Sequence, residues 1–240
     1  MIPGSIIGVG NTATVYDWEP GKVIKLFHSG YPKASVEREY HNAVMLQDKK
    51  FSKPSVYDFI IVDNRYGIVY DKIQGESLLD RLLQTQNLNE SAKILAELHQ
   101  EILQNHIQEV PDYKDFLRHN LEKVSWQSQK EKEKILDLLH GLPKGNILCH
   151  GDFHPGNVIL TPEKPVVIDF MNICAGDYYY DVARTVFLIE FTPVPSVPGD
   201  VETLMELKTA LADAYLKYMK VTRDEISNVL PVIIASRAGE

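Results

Sequence analysis

Chemistry-bearing residues are densest in His150-Gly151-Asp152-Phe153-His154-Pro155-Gly156-Asn157. They are followed by Val158-Ile159-Leu160, a turn at Thr161 to Lys164, and Val166-Val167-Ile168-Asp169-Phe170. Two short β-branched runs around a turn predict a hairpin. If Leu160 pairs with Val166, each step outward on one strand is matched on the other, and Asn157 falls opposite Asp169. A carboxamide and a carboxylate at the open end of a hairpin are hard oxygen ligands. Such a set suits Mg²⁺ held jointly by protein groups and substrate phosphates. Asp152 lies on the loop leading into the same end, where a carboxylate can orient or accept a hydroxyl proton beside a metal-bound phosphate.

In order and spacing, His-Gly-Asp-x-His-Pro-x-Asn at 150 to 157, the strand ending Ile168-Asp169-Phe170, Gly176-Asp177 and Asp181-Val182-Ala183-Arg184 resemble the aminoglycoside phosphotransferase and choline kinase family. The resemblance implies an α+β, bilobal, protein-kinase-like fold. It also implies transfer of the γ-phosphoryl group of ATP or GTP to a hydroxyl of a small molecule, with an aminoglycoside or a choline-like amine among the acceptors. Within it Asp152 acts on the acceptor hydroxyl, and Asn157 and Asp169 hold Mg²⁺. Upstream, Gly8-Val9-Gly10-Asn11-Thr12-Ala13-Thr14-Val15 resembles the kinase glycine-rich loop, with Ala13 in place of the third glycine. Gly8 and Gly10 would let backbone N–H groups approach phosphates.

Lys25 resembles the lysine that grips the α- and β-phosphates, and Glu39, in Arg38-Glu39, its partner on the next helix. Glu37 is the rival. At ~100° per residue the two lie ~200° apart, so both cannot face Lys25. Tyr70 to Ile73, ahead of Gly75, resembles the hinge whose backbone reads the base, which leaves ATP and GTP both open. Gly151, His154 and Met171 replace the protein-kinase catalytic-loop arginine and lysine and the last glycine of Asp-Phe-Gly, and no Ala-Pro-Glu segment follows. That pattern fits a small-molecule kinase without an activation loop. Asp181 resembles the aspartate that braces the catalytic loop, and His99 a packed core histidine. His154 has two roles open to it, a hydrogen bond to the γ-phosphate or packing of its own loop.

Two readings compete. His150, Asp152 and His154 alternate along an extended segment and, with Asp169, could hold Zn²⁺ or Mn²⁺ in a metal-dependent hydrolase. That leaves Asn157, Lys25 and the glycine-rich loop without roles. A nucleotide-binding pseudokinase module would keep the loop but has no need of Asp152.

The elements that must position these residues change character near residue 75. Before it, Thr14 to Trp18 and Lys22 to Phe27 read as a hairpin around Glu19-Pro20-Gly21, and Ser35 to Gln47 as a helix. Val56 to Val62 and Tyr66 to Tyr70 follow as two strands around Asp63-Asn64. Alternation places Lys25 with Val23 and Phe27, opposite Ile24 and Leu26, and leaves its facing undecided. After Gly75, helices are expected at Ser77 to Gln84, Asn89 to Asn105, Tyr113 to Trp126, Lys130 to His140, Tyr180 to Phe191 and Val201 to Lys220. Short strands interrupt them at Ile147 to Cys149, Val158 to Leu160 and Val166 to Ile168. The expected division is a nucleotide-binding lobe over 1–74 and a helical lobe over 75–240 with the catalytic loop and acceptor site. Pro193 to Gly199 reads as a loop between helices. Pro231 to Glu240 reads as the start of a helix that the family continues, so a further segment closing the acceptor site is expected.

Composition limits the alternatives. With 44% hydrophobic and 24% charged residues over 240 positions, the chain can bury its own core without staples. Lys plus Arg number 25 and Asp plus Glu 33, a net charge of −8, and the densest basic stretch, Lys130 to Lys134, alternates in sign. Neither feature suits a nucleic-acid partner. The N-terminus lacks a basic region, and the apolar runs are far shorter than the ~18 residues of a membrane span. Cys149 and Cys174 form no framework, which points to a reducing compartment or to two buried hydrophobes. The expected location is the cytoplasm, and the expected partners are a nucleoside triphosphate and a small hydroxyl acceptor. Glu190, Asp200, Glu202 and Glu206 would suit a cationic one.

Overall fold

A computed structural model describes residues 3–192 and 201–239. The Pro193 to Gly199 stretch, together with Asp200, lies outside the described residues. The chain divides into two compact units, Met1–Glu76 with Ile159–Met171, and Ser77–Val158 with Asn172–Glu240. The division expected at 74–75 falls at 76–77, and a second piece of chain joins the first unit.

That unit is an antiparallel sheet of β1 (Ile6–Val9), β2 (Ala13–Asp17), β3 (Lys22–Phe27), β4 (Val56–Val62) and β5 (Arg65–Asp71), in the order β1-β2-β3-β5-β4. The helix α1 (Lys33–Leu46) lies between β3 and β4 in sequence. Gly21 at φ 78° turns β2 into β3, and Asp63 and Asn64, at φ 49° and 58°, turn β4 into β5. Paired left-handed residues give the turn whose twist matches a hairpin. The central strand β3 is buried on both faces. Phe27 packs with Val36, Ala43, Val56 and Ile68 on the side of α1, and Ile24 and Leu26 pack with Val62 on the other. Lys25 therefore shares the face of Phe27 and looks toward α1.

Residues 159–171 join this unit through specific contacts that periodicity cannot report. Val167 N donates to Ser52 O at 3.0 Å, and the Phe170 ring lies 5.8 Å from that of Phe51. Buried Asn42 donates from Nδ2 to the carbonyls of Phe170 and Met171 at 3.0 and 3.2 Å.

Elsewhere β6 (Glu76–Ser77) and β8 (Val158–Leu160) span two of the places where the chain passes between units, and β9 (Val166–Val167) belongs to the first. The second unit holds α2 (Leu78–Thr85), α3 (Leu88–Leu103), α4 (Tyr113–Glu122), α5 (Gln129–Gly141), β7 (Ile147–Cys149), β10 (Cys174–Gly176), α6 (Tyr178–Phe191), α7 (Val201–Met219) and α8 (Leu230–Ser236). Ser77, Asn87, Asp112, Ser128 and Asp177 cap the first five of these helices after α1 in turn, α2 to α6, each accepting a first-turn N–H. One strand pairing is not announced by the sequence: β10 runs antiparallel to β7 with Cys174 opposite Cys149. Both are free, buried thiols. Every residue of α6 from Tyr180 to Ile189 is buried, which makes this helix the core of its unit; α7 and α8 pack on it. A helix enclosed on all sides can carry polar groups only where each finds a partner.

Candidate active site

In the first unit, Lys25 Nζ donates to Glu39 Oε1 at 2.8 Å and to Asp169 Oδ1 at 3.0 Å. Strand β3 aims the lysine at α1, and Glu39 occupies the buried side of that helix at 1% exposure. Glu37 points elsewhere and pairs with Lys33 at 2.9 Å, its side chain 41% exposed. Burial works against the Lys25 charge, but the facing carboxylates of Glu39 and Asp169 outweigh it and raise the ammonium above its ordinary value. Glu39 is pushed up by desolvation, with Lys25 opposing. Lys25 keeps its charge because two carboxylates face it. Asp169 itself sits at φ 66°, the left-handed region that aspartate tolerates better than most residues. Gly8 lies on β1, and Gly10 N donates to Ala13 O at 2.9 Å across the following turn. A Cβ at Gly8 would meet nothing within 4 Å among the described residues, so their packing does not demand glycine there.

In the second unit, β7 delivers the loop carrying Asp152, and a short 3-10 turn over Pro155–Asn157 follows. Asn157 Nδ2 donates to the Asp152 carbonyl at 2.9 Å. His150 Nδ1 accepts Asp152 N at 3.3 Å, and His154 Nδ1 accepts Gly156 N at 3.1 Å. Both imidazoles thus hold their own loop through Nδ1. Beneath the loop, Asp181 accepts His150 N at 2.6 Å and Gly151 N at 2.9 Å. His99 Nε2 donates to Asp181 Oδ2 at 3.0 Å, and its Nδ1 lies 2.5 Å from the Tyr215 hydroxyl. Burial alone would push the Asp181 carboxyl up; the hydrogen bond and charge of His99, with the Gly151 N–H, hold it below the usual range.

Each unit offers an oxygen donor of the kind a hard divalent cation takes: in the second, Asn157 Nδ2 turns inward to the Asp152 carbonyl and leaves the carboxamide oxygen as the atom able to serve as a ligand, and in the first the Asp169 side chain keeps 38% of its surface exposed. The hydrolase alternative fares worse. Among the described residues no group of three or more His, Cys, Asp or Glu side chains is placed to hold a metal ion, and His150 and His154 spend a nitrogen each on backbone N–H groups. Of the acidic residues expected to favour a cationic acceptor, Glu190 is engaged by Arg223 at 2.6 Å.

Three contacts escaped sequence reasoning, although Tyr70 and Arg184 stand in segments it singled out. Asn42, three residues after Glu39, shares its helix face and ties α1 to the residues following Asp169. Tyr70 donates from its hydroxyl to Glu39 Oε1 at 3.2 Å. Arg184 donates from Nε to the Gly151 carbonyl at 3.1 Å. The available signal for Asn42 was a polar pair at i and i+3 interrupting the apolar stripe of a helix.

Residues 5–220 match the phosphotransferase enzyme family, abbreviated APH. A comparison with curated proteins finds no match. Among solved structures, aminoglycoside phosphotransferase APH(3'')-Id from Streptomyces rimosus superposes with a TM-score of 0.63 at 15% identity, over 100% of this chain and 93% of that one. The amicoumacin kinase hAmiN, in complex with AMP-PNP and Ca²⁺, gives 0.61 at 15% over 98% and 78%. APH(2'')-IIa, in a ternary complex with streptomycin and ATP, gives 0.60 at 18% over 98% and 82%. Identities this low establish the shared kinase-like α+β fold, and the match over residues 5–220 carries the rest: the chain belongs to the phosphotransferase enzyme family and is a small-molecule kinase.

Proposed function

We propose that this protein transfers the γ-phosphoryl group of ATP, with GTP as the alternative donor, to a hydroxyl of a small molecule. The observation that carries the reading is Lys25, a half-buried cation held by Glu39 and Asp169. A fixed ammonium of this kind is suited to the α- and β-phosphates of a nucleotide. Glu39 sets its direction. Asn157 and Asp169 are the residues that would hold Mg²⁺, which when bound neutralises charge on the transferring phosphate. Asp152 orients the acceptor hydroxyl and takes its proton, while the Gly8 and Gly10 backbone offers N–H groups to phosphate oxygens.

For the acceptor we favour a hydroxyl-bearing organic amine. Support comes from the surplus of acidic residues and from the streptomycin and amicoumacin named with similar structures. A cytoplasmic location belongs to the same reading, since it supplies the nucleotide and keeps the adjacent thiols of Cys149 and Cys174 reduced. Among the described residues no helix is long and apolar enough to cross a membrane.

The test is a thermal-shift titration with Mg²⁺ plus ATP, GTP or neither, on the wild type and Asp169→Ala, followed by a panel of amino-alcohol and aminoglycoside acceptors. Ligand at ~100 times its Kd adds ~2.7 kcal/mol to the native state. A Mg²⁺-dependent shift lost in Asp169→Ala, with phosphate found on a panel member, is the expected result. No shift with either nucleotide would overturn the reading.

A further inference from the structure

The motif Asp181-Val182-Ala183-Arg184 places an acid and a base one turn apart on α6, and both side chains are buried, at 0% and 3% exposure. Their partners lie on consecutive peptide units. Asp181 Oδ2 accepts His150 N, and Oδ1 accepts Gly151 N. Arg184 Nε donates to Gly151 O, the carbonyl of the peptide whose nitrogen belongs to Asp152. One helical turn therefore holds three successive peptide planes ending at Asp152. Gly151 needs such a hold. Its φ is 74°, and a Cβ there would collide with the Asn172 carbonyl, so the backbone follows a path that few residues adopt unaided.

Arg184 is also an expensive way to fill space. Taking a guanidinium out of water costs several kcal/mol, and an apolar side chain of similar volume usually packs as well or better in such a place. Here the guanidinium carbon lies 5.5 Å from the Phe187 ring centre and 6.0 Å from that of Phe116, faces that soften the desolvation but would accept a methionine equally. What methionine cannot supply is the N–H aimed at Gly151 O.

We infer that Arg184 is a positioning residue for phosphoryl transfer: with Asp181 it fixes the plane of the Gly151–Asp152 peptide and so the direction in which the Asp152 carboxylate meets the acceptor hydroxyl. This rests on the role given to Asp152 above. Asp181 secures the two N–H groups, and Arg184 secures the carbonyl that follows, so the two are not redundant. Loss of Arg184 removes the hold on the carbonyl of the last plane and leaves its N–H on the longer 3.3 Å bond to His150 Nδ1, while the nucleotide-gripping residues of the first unit stay untouched.

The experiment compares Arg184→Met, Arg184→Lys and Asp152→Asn in the full chain. Two readouts apply, amide hydrogen exchange across 148–157 and steady-state ADP release from Mg²⁺-ATP with the best acceptor of the panel, or with water if none reacts. Arg184→Met should keep its melting temperature and the KM for ATP, exchange faster at the Asp152 amide, and lose about tenfold to a hundredfold in kcat, the range expected for a misplaced catalytic group. Arg184→Lys, which keeps the charge without the planar fork, should fall between. It also carries the test if the methionine variant does not fold. Unchanged exchange at Asp152 together with unchanged kcat in a folded variant overturns the proposal. Wild-type turnover in Asp152→Asn would instead overturn the role of Asp152, and the exchange data would still report whether Arg184 holds the loop.

Discussion

The Tyr70 hydroxyl donates to the same oxygen, Glu39 Oε1, that accepts Lys25 Nζ, while Glu39 Oε2 is buried without a hydrogen-bond partner among the described residues. A carboxylate so poorly solvated depends on each donor it has. Tyr70→Phe preserves the ring and removes one of them, and a hydrogen bond to a charged group contributes about 1.5–3 kcal/mol. Part of that loss should appear as a less firmly held Lys25. Calorimetric titration with Mg²⁺-ATP is expected to show roughly tenfold weaker binding in a folded variant. An unchanged affinity would remove the hydroxyl from the nucleotide site.

The choice between the two helix glutamates yields a paired prediction. Glu37→Gln breaks only a partly exposed pair with Lys33, so its stability should change by no more than about 0.5 kcal/mol and its nucleotide affinity not at all. Glu39→Gln strips the half-buried Lys25 of its closest partner, and breaking one side of a buried pair costs up to about 3–5 kcal/mol. Urea unfolding and ATP titration on both variants decide it, and equal behaviour would contradict the buried pair.

Asp181 makes stability depend on pH in a defined direction. Its carboxyl titrates below the ordinary value of 3.8 in the folded protein, so between those two values the unfolded chain binds the extra proton. Its contribution is therefore complete above about pH 4 and is lost as pH falls through the folded-state value. Asp181→Asn should cost about 3 kcal/mol at pH 7, with the gap to wild type narrowing below pH 4. Denaturant unfolding from pH 7 to pH 3 measures this, and a constant gap would mean that the charge of Asp181 contributes nothing.

Much of this arrangement was legible in the sequence, for reasons that particular residues make plain. Strands β3, β4 and β7 were marked by β-branched runs, and the hairpin turns by Pro20-Gly21 and Asp63-Asn64. The facing of Lys25 was not legible, because β3 buries both faces and alternation loses its meaning there. Helix geometry separated Glu37 from Glu39, but only the contact with Lys25 says which one turns inward. The strand β10 escaped because Cys174-Ala175-Gly176 carries no β signal of its own and exists through its pairing with β7. Likewise the bonds from Tyr70, Asn42 and Arg184 join residues 31, 128 and 33 positions away, separations that no local pattern encodes.

Gly151→Ala offers the sharpest test of how the loop is held. An alanine there must hold a left-handed backbone, at ~1–2 kcal/mol, and at the same time push its Cβ into the Asn172 carbonyl oxygen, since φ is 74°. Relief by rotation about Gly151 would break the bonds to Asp181 and Arg184 together, because the same residue donates its N–H to one and offers its carbonyl to the other. The variant should therefore melt several degrees lower and lose phosphoryl transfer well beyond the fraction unfolded, while Mg²⁺-ATP still binds through the first unit. Scanning calorimetry alongside ATP titration and turnover separates these effects. Retained turnover at a lowered melting temperature would show that the clamp on Gly151 serves the fold and not the direction of Asp152.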